Sequence, residues 1–117
     1  MGQMTENMKC LIVEGRSDKL QIKPILEEEV VILCTNGTMD PEAIEDLIEP
    51  YEHCRLFTLF DADSSGDHLR KVMKRVYPEA KQLQTFRRYR EVATTPRAEL
   101  AKLLLAEHFK VKHNYIL

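Results

Sequence analysis

Arg55-Leu56-Phe57-Thr58-Leu59-Phe60-Asp61-Ala62-Asp63-Ser64-Ser65-Gly66-Asp67 is the stretch on which the fold turns. Arg55 to Phe60 is a compact β-prone apolar run, and it leads straight into a loop of acids and small residues. After the loop, Leu69, Val72, Met73, Val76 and Tyr77 share one helical face, with Arg70, Lys71, Lys74 and Arg75 on the other. Pro78 closes that helix. The segment therefore reads as strand, acidic loop and helix.

The same alternation runs outward in both directions. Upstream, Met8 to Val13 is a first strand, followed by the turn Glu14-Gly15-Arg16-Ser17, with Ser17 expected to cap a short helix that Pro24 ends or kinks. Val30 to Cys34 is a second apolar run, closed by Thr35-Asn36-Gly37, residues that tolerate left-handed backbone. Asp40-Pro41 caps a helix whose Ile44, Leu47, Ile48 and Tyr51 recur at half-buried helical spacing. Downstream, Lys81 to Phe86 is expected as a fourth strand, Ala98 to Phe109 as a last helix, and Val111 to Leu117 as a terminal edge strand. Parallel returns need crossover helices, so the expected fold class is α/β: a three-layer, Rossmann-like domain with a mainly parallel sheet of about four strands flanked by helices.

Composition bounds the rest. A length of 117 residues, 44% apolar and 31% charged, is that of one globular domain rather than a disordered or fibrous chain. The apolar runs are too short to cross a bilayer and no leader pattern is visible, so no membrane partner is expected. Three cysteines, Cys10, Cys34 and Cys54, show no metal-ligand spacing and read as small buried hydrophobes in a reducing cytoplasm. The net charge of −2 is not that of a strongly basic nucleic-acid binder. Charge is nevertheless uneven: four arginines (Arg87, Arg88, Arg90, Arg97) face one Glu91 between Phe86 and Arg97, whereas Asp40 to Glu52 holds six acids and no base.

In a doubly wound sheet, ligands sit outside the carboxyl ends of the strands, where strand order reverses. Glu14, the Asn36-Gly37 turn, and Asp61 with Asp63 all fall at such ends. If the first and third strands are neighbours, three carboxylates converge. Crowded carboxylates raise one another's pKa unless a cation neutralises them. A hard divalent ion such as Mg²⁺, with Mn²⁺ as substitute, takes one or two carboxylates, keeps several waters and completes its shell with phosphate oxygens. Asp61 and Asp63 suit the ligand role, Asp67 is a third or outer ligand, Glu14 is placed to move a proton, and Gly66 allows close backbone approach.

Three other readings compete. A plain solvated, helix-capping loop accounts for an Asp-x-Asp but not for Glu14. A calcium loop fits Asp61, Asp63, Ser65 and Gly66, yet its twelfth position is Val72, on the core stripe, where a bidentate Glu is required. An aspartyl-phosphate enzyme of the haloacid dehalogenase kind carries its Asp pair after the first strand, not the third.

Glu14-Gly15-Arg16-Ser17-Asp18 resembles the E-G-x-x-D element, and Asp61 to Arg70 the D-x-D-x-x-G element, of the Toprim domain shared by type IA topoisomerases, bacterial primases, 5S ribosomal RNA maturases and related nucleases. The Thr35-Asn36-Gly37 turn is similar to the small-residue turn after the second Toprim strand. The likeness spans roughly Met8 to Thr85, and the stand-alone small Toprim, or primase-like, proteins are its nearest form. It implies a single Toprim-like domain over 1–117, with a motif-bearing core of about 8–85 and a C-terminal helix and edge strand over 96–117. It further implies Glu14 as general acid or base and a Mg²⁺ site at Asp61 and Asp63, with Asp67 where several members carry Glu. Arg70 matches a basic position of the maturase-like motif.

Other residues have plainer readings. Tyr51 and Tyr77 lie on core stripes. Tyr89, among Arg87, Arg88 and Arg90, is either a base-stacking residue or part of a solvated loop. His68 is an exposed helical position, since Mg²⁺ prefers oxygen. Gly15, Arg16, Asp18, Lys19, Asn36, Gly37, Gly66, Arg70, Arg87, Arg88 and Arg90 make up the expected phosphate or nucleic-acid contacts. Two functions follow as expectations: a cytoplasmic, Mg²⁺-dependent phosphoryl-transfer enzyme on RNA or DNA, nuclease-like, or a binding module that works only inside a larger protein assembly.

Overall fold

The computed structural model describes residues 8–85 and 88–116. β1 (Lys9–Val13), β2 (Val30–Cys34), β3 (Arg55–Leu59) and β4 (Lys81–Leu83) form one parallel sheet in the order β2-β1-β3-β4. Four helices cover it: α1 (Arg16–Ile22), α2 (Pro41–Ile48), α3 (Ser64–Val76) and α4 (Arg97–Ala106). The expected α/β architecture is therefore the observed one.

Continuous apolar strands follow from this arrangement, because a parallel sheet is buried on both faces. Leu11, Val13, Phe57 and Leu59 point to one face and pack with Ile22 of α1 and Leu100, Ala101 and Leu104 of α4. Cys10, Ile12 and Leu56 point to the other, against Ile44 and Ile48 of α2 and Leu69, Val72 and Met73 of α3. Every residue of β1 is buried, as the central position demands, whereas β2 is half-buried throughout at the sheet edge.

Local chemistry sets the element ends. Asp40 caps α2 by accepting from the Ala43 amide, and Pro41 takes the first helical position. Pro24 lies in a 3-10 turn, Lys23–Ile25, that succeeds α1. Asn36 (φ 53°) and Gly37 (φ 85°) adopt the left-handed backbone expected after β2. Among the described residues no helix is long and apolar enough to cross a membrane.

Three expectations need correction. The N-cap of α1 is Gly15 rather than Ser17, because Asp18 reaches back to accept the Gly15 amide at 2.9 Å and the helix starts two residues earlier, at Arg16. β4 ends at Leu83, and Phe86 lies outside the described residues. The C-terminal segment makes no edge strand: Val111 forms a single antiparallel bridge with Leu26, and the chain then turns into a 3-10 helix, His113–Tyr115. The Glu27 amide to the Lys110 carbonyl and the Lys112 amide to the Ile25 carbonyl are the backbone bonds that flank this bridge.

Candidate active site

The strand order places β1 beside β3. From β1 the chain winds one way to β2, and from β3 the other way to β4, so the order reverses between these two central strands. That reversal opens a crevice at their carboxyl ends. Glu14 leaves β1 there and Asp61 follows β3 there.

The two loops meet directly. Glu14 Oε2 accepts the Asp61 amide at 2.6 Å, and Asp61 Oδ1 in turn accepts the Val92 amide at 2.8 Å. The Glu14 carbonyl accepts the Asn36 amide at 2.7 Å. Four chain segments are thus strung together by backbone amides along the edge of the sheet. Asp63 caps α3, its Oδ1 accepting the Gly66 amide at 2.8 Å. Gly66 suits the close approach: a Cβ there would stand 1.9 Å from the Asp61 carbonyl oxygen, so the backbone would have to shift to admit one.

Arg70 fixes this loop from the helix side. Its guanidinium donates to the Asp61 carbonyl at 3.1 Å and pairs with Asp67 at 2.6 Å. Asp67 therefore faces Arg70 and lies largely exposed, while Asp18 is only 5% exposed and serves the Gly15 backbone.

Electrostatics follow from the packing. Burial, then the charges of Asp61, Asp63 and Asp18, push the Glu14 carboxyl up to about 7 against the pull of the Asp61 amide. Burial likewise raises Asp18, with Asp61 and Glu91 adding to it and the Gly15 and Ala93 amides opposing.

Basic residues flank the acids on both sides. Arg16, Lys19, Lys23 and Asn36 line a cavity of about 420 Å³ toward β2. Arg70 and Arg90 line another of about 340 Å³ toward β4, with Phe60, Ala62, Gln84 and Thr85. The Arg90 carbonyl accepts the Ala62 amide at 2.7 Å, which ties the arginine loop to the Asp-x-Asp loop. Arg88 stacks over the Tyr89 ring at 5.0 Å, and Arg87 lies outside the described residues. Two backbone donors, Val92 and Ala93, escaped the sequence reading; an amide carries no side-chain signature by which to find it.

Among the described residues no three His, Cys, Asp or Glu side chains close into a ready-made metal cage. Mg²⁺ does not ask for one. The donor set fits a hard cation: Asp61 and Asp63 spend Oδ1 on backbone amides, and Oδ2 of each is where a bond to the ion would go. Asn36 and Gly37, in left-handed backbone, and Gly15 follow β2 and β1 at this same end of the sheet.

A parallel sheet that presents a glutamate turn and an Asp-x-Asp loop to one another at its reversal point is a Toprim-type Rossmann-like domain. The comparisons are in accord. The structure of a small TOPRIM domain protein from Bacillus stearothermophilus superposes with a TM-score of 0.88 at 42% identity, over 97% of this chain and all of the other. The uncharacterized protein YusF of Bacillus subtilis is 42% identical over 109 residues, 93% of this chain and 75% of YusF. The chain belongs to the small Toprim domain proteins. Ribonuclease M5 of Fusobacterium nucleatum is 30% identical over 73 residues, a match spanning 62% of this chain and 40% of that enzyme. No profile of a known protein family matches the chain.

Proposed function

We propose that this protein is a Mg²⁺-dependent phosphoryl-transfer enzyme of nucleic acid, nuclease-like in its reaction. The observation that carries the reading is the contact between Glu14 and the Asp61 backbone, which supports it by bringing a third carboxyl group to the Asp-x-Asp loop. Similarity to ribonuclease M5 over 73 residues of the chain supports nucleic acid as substrate, and Toprim domains are generally metal-dependent, typically using Mg²⁺.

The bound ion would supply charge neutralisation and orientation of the phosphate, held by Asp61 and Asp63. The remaining roles belong to the chain. Arg70 and Arg90 face phosphate oxygens from the β4 side, and Arg16 and Lys19 do so from the β2 side. Glu14 uses Oε2 to hold the Asp61 loop, so Oε1 is the atom that takes a proton from attacking water or returns one to the departing oxygen. A group poised near pH 7 does both efficiently. Asp67 orients Arg70.

The test is cleavage of labelled RNA and DNA with Mg²⁺, with Mn²⁺, and with chelator. Glu14→Gln is expected to lower turnover by about 10²–10⁴-fold, the usual worth of general acid–base catalysis. Asp61→Asn, which keeps an acceptor for Val92, should abolish the metal response. Turnover unchanged in both variants would reject these roles, and binding without turnover in the wild type would assign a module of a larger assembly instead.

A further inference from the structure

The basic cavity at Arg70 and Arg90 has a neighbour. A second cavity of about 300 Å³ lies between the end of β4 and α4, lined by Gln84, Thr85, Tyr89, Thr95, Glu99, Lys102 and Leu103. Gln84 and Thr85 line both, so the two share a wall. Their characters differ: one presents two guanidinium groups and the Asp67 carboxylate, the other an aromatic ring and the aliphatic side chain of Leu103 with a few polar groups at its margin.

The chain holds this pair of cavities in a fixed relation to the acidic crevice. Thr85 Oγ1 donates to the Tyr89 carbonyl at 3.0 Å, closing the loop that carries the ring. One residue on, the Arg90 carbonyl accepts the Ala62 amide, and two residues further the Val92 amide binds Asp61. Below, Gln21 Nε2 donates to the Thr95 carbonyl at 2.7 Å, anchoring the far side of the loop on α1. Tyr89 is thus tied to the candidate metal loop through the residues that follow it, Arg90 and Val92.

An anion subsite that adjoins a mostly apolar slot lined by an aromatic side chain matches the two halves of a nucleotide. The phosphate carries the charge and the base carries the π-face. A base inside a duplex is stacked on both sides and cannot enter such a slot; an unpaired or extruded one can.

We propose that the cavity between β4 and α4, lined by Tyr89 and Leu103, is a base-binding subsite in which a base stacks on the face of the Tyr89 ring that Arg88 does not cover, taking one unpaired base next to the phosphate held by Arg70 and Arg90. Resting on the phosphoryl-transfer reading, this narrows the substrate class to a single-stranded or frayed nucleic-acid segment. Glu99 and Lys102, which pair with each other at 3.8 Å, also line the slot and offer an acceptor and donors for the base edge. The slot distinguishes paired from unpaired nucleotides, and matched RNA and DNA oligonucleotides show whether the sugar matters.

The experiment is equilibrium binding, at low salt and with Ca²⁺ in place of Mg²⁺ to withhold turnover, of a single strand, a blunt duplex, and a single strand with one abasic position stepped along it. The wild type should prefer the single strand, and one abasic position should weaken binding by about 5- to 100-fold, the range for loss of one base stack. Tyr89→Ala should weaken the intact strand by a like factor and make the abasic position neutral, while Tyr89→Phe restores both. Leu103→Glu, on a helix anchored elsewhere by Leu100 and Leu104, should match Tyr89→Ala. If the strand and the duplex bind equally and Tyr89→Ala changes neither, the subsite is overturned while Mg²⁺-dependent cleavage, measured in parallel, still stands. If the wild type neither binds nor cleaves any of them, the functional reading falls with it.

Discussion

Replacing Glu14 by Gln keeps an acceptor for the Asp61 amide and removes an ionisable group, so its effects on stability and on turnover separate. The folded value near 7 lies above the ordinary 4.5, so the folded chain retains a proton over that interval that the unfolded chain has released. The stabilising contribution of that proton is complete below pH 4.5 and is lost as pH rises through 7. In chelator, denaturant midpoints of the wild type should therefore fall relative to Glu14→Gln between pH 4.5 and 7, and added Mg²⁺ should reduce the difference by neutralising Asp61 and Asp63. Parallel pH profiles for the two proteins would remove the charge coupling. Asp63 offers the same separation in another form. Asp63→Ala forfeits the cap of α3, a loss of about 0.5–2 kcal/mol, whereas Asp63→Ser keeps the cap and loses only the carboxylate. Thermal melts should distinguish the two variants, and metal-dependent turnover should be lost in both.

The loop between β3 and α3 is the element with least freedom. Gly66→Ala drives a methyl into the Asp61 carbonyl, and overpacking of this kind costs about 1–3 kcal/mol or more. Chemical denaturation should show that loss, and a stability equal to wild type would mean the loop moves aside. This element was also the most readable in the sequence, because strand, acids and apolar helical stripe follow one another without a break. Its partner was less so: Glu14 was recognisable at the end of β1, but its contact with Asp61 depends on strand order, which periodicity does not carry. Asn36 and Gly37 announced a left-handed turn by residue type alone. The last segment misled for the opposite reason. Val111 has strand chemistry, yet only Leu26 pairs with it before the chain turns back on itself at His113. The donors at Val92 and Ala93 belong to a short 3-10 helix, Val92–Thr94, that has no apolar period to reveal it.

Taken entire, the molecule carries a net charge of −2, so the proposed hold on a polyanion has to be local. The basic cavities on either side of the acids are where the proposal puts it. Affinity for single strands should fall with salt at a log–log slope of about −0.7 per phosphate contact, and Arg70→Ala should flatten that slope by about one contact. A slope unchanged in the variant would move the contact elsewhere. The backbone bonds that link Asn36, Glu14, Asp61 and Val92 join parts of the chain far apart in sequence, from the end of β2 to the segment before α4. A chain cut after β4 would retain every acidic residue of the motif and still lack the amide that aims Asp61. On the phosphoryl-transfer reading, competence for chemistry is then a late product of folding, acquired only after distant segments have closed, and the Asn36, Asp61 and Val92 amides should share one hydrogen-exchange rate, opening and shutting as a single unit.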